Sequence, residues 1–324
     1  MAPGTRVTEW LLDADPALRW QVQRDLLGLP EAAWRTTRAL VETEGWGARL
    51  LALEDADGQW DGAAFWPAGF TEEEWRRDGQ PWTATCWTLF QLREFGLEPS
   101  SASARRAVAL VGENCRWEEG DQLFWDGEVE ECINGRTVAI GCYFGVDMAP
   151  LVERLVGERL EDGGWNCERA NGSVRSSFDT TINVLEGLLE YERVTGGTDA
   201  SRRARAAGEE YLLTRALFRR LGTGEPADQR YLRLLHPSRW RYDILRGLDH
   251  FRTASLLTGS APDPRLAEAV ELLRGRALDG RWALDWDLRG RVWFPLDDGV
   301  GRPSRWLTLR AQRVLDWWDA ARTG

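Results

Sequence analysis

The 324-residue chain contains no lysine, which removes Schiff-base catalysis through an ε-amine and a phosphate-loop lysine. Only two histidines occur, His236 and His250, so a nucleophile–histidine–acid triad has few bases to draw on. Positive charge is also scarce: 52 acidic residues against 41 basic ones give a formal net charge of −11. Neutralising nucleic-acid phosphates needs a basic surface, so this balance argues against a nucleic-acid partner. No run of about 18 apolar residues appears, and no transmembrane segment is expected. The polar start Met1–Arg6 lacks a signal-peptide core. Five cysteines without a CxxC pair suit reduced thiols, and a cytoplasmic location is expected. Alternating β-branched runs are nearly missing, which predicts an all-α chain.

Tryptophan, by contrast, is abundant, with 19 residues. Three of them close copies of Asp-Gly-x-Trp at Asp57–Trp60, Asp162–Trp165 and Asp279–Trp282, whose first residues stand 105 and 117 positions apart. Such a period marks an internal repeat. Each copy ends a helical stretch, turns the chain with Asp and Gly, and supplies a tryptophan to pin neighbouring elements. Between the copies the helical segments alternate in character. Apolar, small-residue-rich segments begin near Pro16, Pro81, Cys132, Ser176, Arg239 and Pro303. More charged, amphipathic ones cover about 31–54, 103–114, 149–161, 201–217 and 264–276. Six inner helices with outer partners give 324/6, or about 54 residues per unit. Inner-type segments at both ends favour a closed ring over an open stack with polar caps. The expectation is one domain over 1–324, a single α/α (α6/α6) toroid. A lid is expected at 55–80, rich in aromatics, and a second long loop at 219–239.

Parallel inner helices would bring their N-termini to one mouth, where unsatisfied N–H groups attract anions. Arg136, Arg175, Arg239 and Arg305 sit beside those starts and are candidates for binding an anionic group. Local pairing is the alternative, because Arg175 and Asp179, like Arg239 and Asp243, are four residues apart. Carboxylates occupy the same level: Asp179, Asp243 and Glu131, with His250 further along one helix face. A carboxylic acid in a dry apolar cavity holds its proton and can deliver it to a substrate. Trp82, Trp87, Phe178, Trp240, Tyr242 and Trp306 would line the hollow, where aromatic faces stabilise passing cations. Cys132 and Cys167 are expected near Asp179, and Cys132, Cys142 and Cys167 are the candidate ligands for a zinc ion.

The three repeats resemble the QW motifs of squalene–hopene cyclases and of the β-subunits of protein prenyltransferases, over nearly the whole chain. The segments Glu131–Arg136, Ser176–Thr181 and Arg239–Asp243 resemble single-barrel bacterial "prenyltransferase/squalene-oxidase repeat" proteins. The resemblance implies the toroid and an isoprenoid-handling enzyme, a single-barrel cyclase or isomerase with Asp179 at the position of the cyclase acid. It also implies two departures. Where the cyclases carry Asp-x-Asp-Asp, this chain has Ser176-Ser177-Phe178-Asp179, keeping only the final acid. Gly141-Cys142-Tyr143 resembles the prenyltransferase zinc cysteine, but Ile140 stands at the aspartate position. A zinc-dependent transferase or hydrolase is the alternative. A saccharide-acting toroid and a partner-binding module or homodimer are further readings, because a fold alone does not select a function.

Overall fold

Local chemistry marks where the helices start and stop. The computed structural model describes residues 3–323. Its first half contains α1 (Pro3–Leu12), α2 (Pro16–Asp25), α3 (Glu31–Ala39), α4 (Gly45–Leu51), α5 (Glu72–Asp78), α6 (Thr85–Phe95) and α7 (Ala102–Asn114). The second half contains α8 (Glu131–Tyr143), α9 (Ala149–Gly157), α10 (Phe178–Thr195), α11 (Asp199–Leu213), α12 (Ile244–Thr258), α13 (Ala267–Arg274) and α14 (Arg305–Thr323). Strand is nearly absent among the described residues: β1 (Trp282–Ala283) pairs antiparallel with β2 (Pro303–Ser304). The chain is all-α, as its sequence predicts, and among the described residues no helix is long and apolar enough to cross a membrane.

Side-chain oxygens cap the expected starts. Asp15 accepts from the Ala17 amide ahead of Pro16, Ser177 from Thr180, and Asp243 from Arg246. Helices α6, α10 and α12 end on Gly96, Gly196 and Gly259 in the left-handed conformation, which costs glycine little. Helix α8 is buried on nearly every side from Asn134 to Cys142, whereas α9 buries one stripe, Leu151, Val152 and Leu155. That contrast is the expected one between inner and outer segments. Contacts run from α2 to α6, α8, α10, α12 and α14, and from α14 back to α2.

The three tryptophan repeats act as identical stitches. The indole N–H groups of Trp60, Trp165 and Trp282 donate to the carbonyls of Leu50, Leu155 and Leu273, at 2.8, 2.7 and 2.8 Å. Their backbone amides donate to the hydroxyls of Thr85, Thr181 and Thr308, each at 3.1 Å, in the opening turns of α6, α10 and α14. The repeats therefore tie the end of α4 to the start of α6, the end of α9 to the start of α10, and the end of α13 to the start of α14. All three rings are almost fully buried.

Tertiary packing also departs from the sequence reading. The expected helix over 31–54 is split into α3 and α4, with Gly45 at φ +66° between them. The segment 201–217 stops being helical at Leu213, and Ala216 and Leu217 adopt positive φ. An unexpected first helix, α1, packs on α2. The stretch 284–302 was not singled out from the sequence, yet it crosses to α6: the Trp82 amide donates to the Arg291 carbonyl, and the Trp293 indole to the Thr88 hydroxyl.

Candidate functional site

Two cavities lie toward opposite ends of α6, α8 and α10. The first, of about 350 Å3, is lined from the opening turns of α6, α8 and α10 by Cys86, Trp87, Cys132, Arg136, Asp179 and Thr180, among others. Connecting segments add Phe65 and Gln80 from the predicted lid, together with Trp117, Glu130, Cys167 and Trp240. The second, of about 720 Å3, is lined by the closing turns of α2, α6, α8 and α10, including Arg24, Glu94, Tyr143 and Glu190. Between them, Arg136 and Arg246 both donate to Asn183 Oδ1, at 3.0 and 2.8 Å, and Arg246 also grips Glu186 at 2.7 Å. The axis is crossed by a polar plug, so no single greasy tunnel runs through it.

Aromatic rings form the wall of the first cavity. Phe65 packs on Trp87 with ring centroids 4.9 Å apart, and its amide is held by Glu118 at 2.8 Å. The Trp87 indole donates to the Phe65 carbonyl, which fixes this part of the 55–80 insertion against α6. Trp75, in the same insertion, is exposed instead.

On the opposite wall Glu130, Cys132 and Cys167 each direct one ligand atom into a cluster whose atoms all lie within 4.8 Å of one another. Cys132 reaches the cluster from the first turn of α8, and its thiol is 3.3 Å from a Glu130 oxygen. Cys167 is placed by the second tryptophan repeat, two residues after Trp165, and its sulfur meets the Thr180 hydroxyl at 3.2 Å. Two thiols and a carboxylate are a donor set that zinc accepts. Glu130 completes the group and was passed over for its neighbour Glu131, which is buried in an ion pair with Arg169 at 2.5 Å.

Asp179 borders the same cavity. Its carboxylate accepts from the Tyr242 amide at 2.7 Å and from the Tyr231 hydroxyl at 3.2 Å. Burial raises its pKa, opposed chiefly by the Tyr242 amide and then by the Arg241 charge. Phe178, Tyr231 and Tyr242 pack on one another behind it, with centroids 5.0 to 5.3 Å apart. Tyr231 comes from the 219–239 loop and was invisible to helical periodicity, which carries no signal for loop residues.

Of the residues singled out from the sequence, the cavity gathers Asp179, Trp87, Trp240, Arg136, Cys132 and Cys167. The rest are placed elsewhere. Asp243 is fully occupied as the cap of α12, accepting from Arg246 and Leu235 amides. His250 lines the second cavity, 2.9 Å from Glu209. Trp306 lines that cavity as well, stacked on His236. Cys142 is buried in the apolar core and takes no part in the thiol cluster. Trp82 is tied through its indole to the Arg289 carbonyl. Arg305 donates to the Trp10 carbonyl, toward α1. Arg239 is buried over the Trp82 ring, and Arg175 is exposed, so neither forms its anticipated intrahelical ion pair.

No protein-family model matches this sequence, and comparison with curated proteins gives no match. Among solved structures the chain is similar to a protein from Actinoplanes known by its crystal structure. The identity is 17%, the TM-score 0.46, and the alignment covers 99% of this chain and 98% of the other.

Proposed function

We propose that the chain is a single α/α toroid with a metal-assisted enzyme site at the N-terminal mouth of its inner helices. The cyclic order of contacts from α2 round to α14 and back supports the toroid, as do the three tryptophan–threonine stitches. The carrying observation for the site is the convergence of Glu130, Cys132 and Cys167 on the wall of an aromatic cavity. Three protein ligands leave a fourth position of a zinc ion for water or substrate, where the metal supplies Lewis-acid activation. Around it, the residues of the chain do the remaining work. Phe65, Trp87, Trp117 and Trp240 exclude water and hold an apolar body, and Asp179 stands beside the cavity as a proton carrier. A volume of about 350 Å3 lies at the small end of ligand sites, roughly 300–1,000 Å3, and favours a short substrate over a triterpene.

Elemental analysis of purified protein tests this reading, with about one zinc per chain expected. Cys132→Ser and Cys167→Ser should lose the metal, whereas Cys142→Ser should keep it. A wild-type chain that stays metal-free after zinc loading sinks the assignment.

A second reading, acid-initiated isoprenoid chemistry by Asp179, is favoured by the raised pKa of that residue beside aromatic walls. Both Asp179 oxygens accept hydrogen bonds, an arrangement that also suits the carboxylate form. Turnover of a short isoprenoid that survives Asp179→Asn would remove this alternative.

A further inference from the structure

Arg136 stands out within the cavity. It is 4% exposed, and one terminal nitrogen donates to Asn183 Oδ1 at 3.0 Å. The other terminal nitrogen is buried without a partner. The carboxylate that acts on it most strongly, Glu186, is already held at two points by Arg246. Arg246 and Glu186 thus pair with each other, and Arg136 is left with no carboxylate in hydrogen-bond contact. The guanidinium lies over the Phe90 ring at 3.9 Å and near Trp87 at 5.3 Å, which gives partial compensation. Desolvation, and then repulsion from Arg246, lowers its pKa. A buried charge without a counter-charge is destabilising, and a ligand anion relieves that cost where a protein carboxylate does not.

We propose that Arg136 is the anion-recognition residue of the N-terminal cavity, and that the ligand is a small amphiphile with one carboxylate head and an apolar body. A single carboxylate suffices for the one terminal nitrogen left without a partner, and the Glu130, Glu168 and Asp179 carboxylates on the same lining disfavour a more highly charged head. The body lies against Trp87, Phe65 and Trp240, which places its far end toward Glu130, Cys132 and Cys167. This inference rests on reading the cavity as the ligand site, and it does not require the metal.

The test is calorimetric titration of octanoate, octanol and octylamine into the full chain, with and without a zinc chelator, alongside thermal unfolding. Wild type should prefer octanoate over octanol by roughly tenfold to a hundredfold, the range for a hydrogen bond to a charged group. Arg136→Met should lose that preference while its unliganded Tm stays level or rises, because an uncompensated buried charge has been removed. A merely structural arginine would instead lower Tm. Arg136→Gln keeps a donor for Asn183 and gives the same expected loss should the methionine variant misfold. The inference is overturned if octanol or octylamine binds as tightly as octanoate, if no carboxylate from acetate to decanoate binds, or if Arg136→Met keeps the preference. Binding that survives Arg136→Met but vanishes with chelator or in Cys132→Ser assigns the carboxylate to the metal, leaving the metal reading intact. Loss in Arg136→Met with no dependence on zinc supports Arg136 as the anion-recognition residue.

Discussion

The two cavities use the same residue type in opposite ways. Around the second the arginines are matched: Arg93 pairs with Glu190, Arg310 with Glu94, and Arg313 with both Asp249 and Asp25. At the N-terminal end Arg136 lines an aromatic cavity with no carboxylate of its own, beside thiols and a buried aspartate. Asp179, Glu130 and Cys132 stand at or beside helix N-termini, where the dipole favours anionic donors. A fully paired network holds helices together, whereas a buried guanidinium nitrogen without a partner is kept at a cost in stability. Functional sites carry such costs, and structural networks do not.

That difference can be broken at either end, and the largest effect is expected in the paired network. Asp249→Ala leaves Arg313 and Arg310 short of a counter-charge and should cost about 3–5 kcal/mol. Zinc content should be unaffected, and loss of the metal in that variant would show that the ends are not independent.

Gly135→Ala attacks the boundary between them. Helices α8 and α10 meet so closely that a Cβ on Gly135 would lie 2.5 Å from the Asn183 carbonyl oxygen. The overpacking should cost about 1–3 kcal/mol and displace Arg136 from Asn183, weakening ligand binding as well. Chemical denaturation and octanoate titration on the same sample read both effects.

Acid titration separates the ends by sign. Burial opposes ionisation of Glu186, but Arg246 and then Arg136 and Arg93 outweigh it and lower the pKa from 4.5 to about 2. Its contribution to stability is complete above about pH 4.5 and is lost as pH falls toward about 2. Asp179 behaves oppositely, because its pKa is raised above 3.8, so its contribution is lost as pH rises through 3.8 toward the folded-state value. Unfolding free energies followed from neutral pH into acid should show the wild-type advantage over Glu186→Gln shrinking with acidification. The comparison with Asp179→Asn should run the other way. Parallel curves for the two variants would contradict the assigned environments.

The smallest effect belongs to Trp75→Ala, a surface residue of the 55–80 insertion, which should change stability by less than about 0.5 kcal/mol. Phe65→Ala in the same insertion should instead weaken octanoate binding, since Phe65 lines the cavity. Equal responses would mean that the insertion acts as one unit.

How much of this was readable beforehand follows from the range of each signal. The Asp-Gly-x-Trp repeats and the capped starts of α2, α10 and α12 are local patterns, and they placed most helix boundaries within a few residues. The nearness of Cys132, Cys167 and Asp179 was also legible, because the repeat tryptophan positions Cys167 while the other two begin inner helices. Assigning residues to an end of a helix was harder. His250 lies seven residues beyond Asp243, about two turns and roughly 10 Å further along α12, and so belongs to the opposite mouth. Trp306 and Cys142 have the right residue type but face the second cavity and the core. Glu130 and Glu131 are adjacent, so their exchange of roles depends on which one Arg169 reaches.

Alone, the sequence determined an acidic, lysine-free, all-α chain with a tryptophan-stitched repeat, because composition, capping and 3.6-residue periodicity act over short stretches. Only the tertiary structure decided that the two cavities are separated by Arg136, Asn183, Arg246 and Glu186, and that three donors from two segments converge on one wall. Those outcomes depend on how closely α8 and α10 approach and on which arginine finds a carboxylate first, and both are set by contacts between residues far apart in the chain.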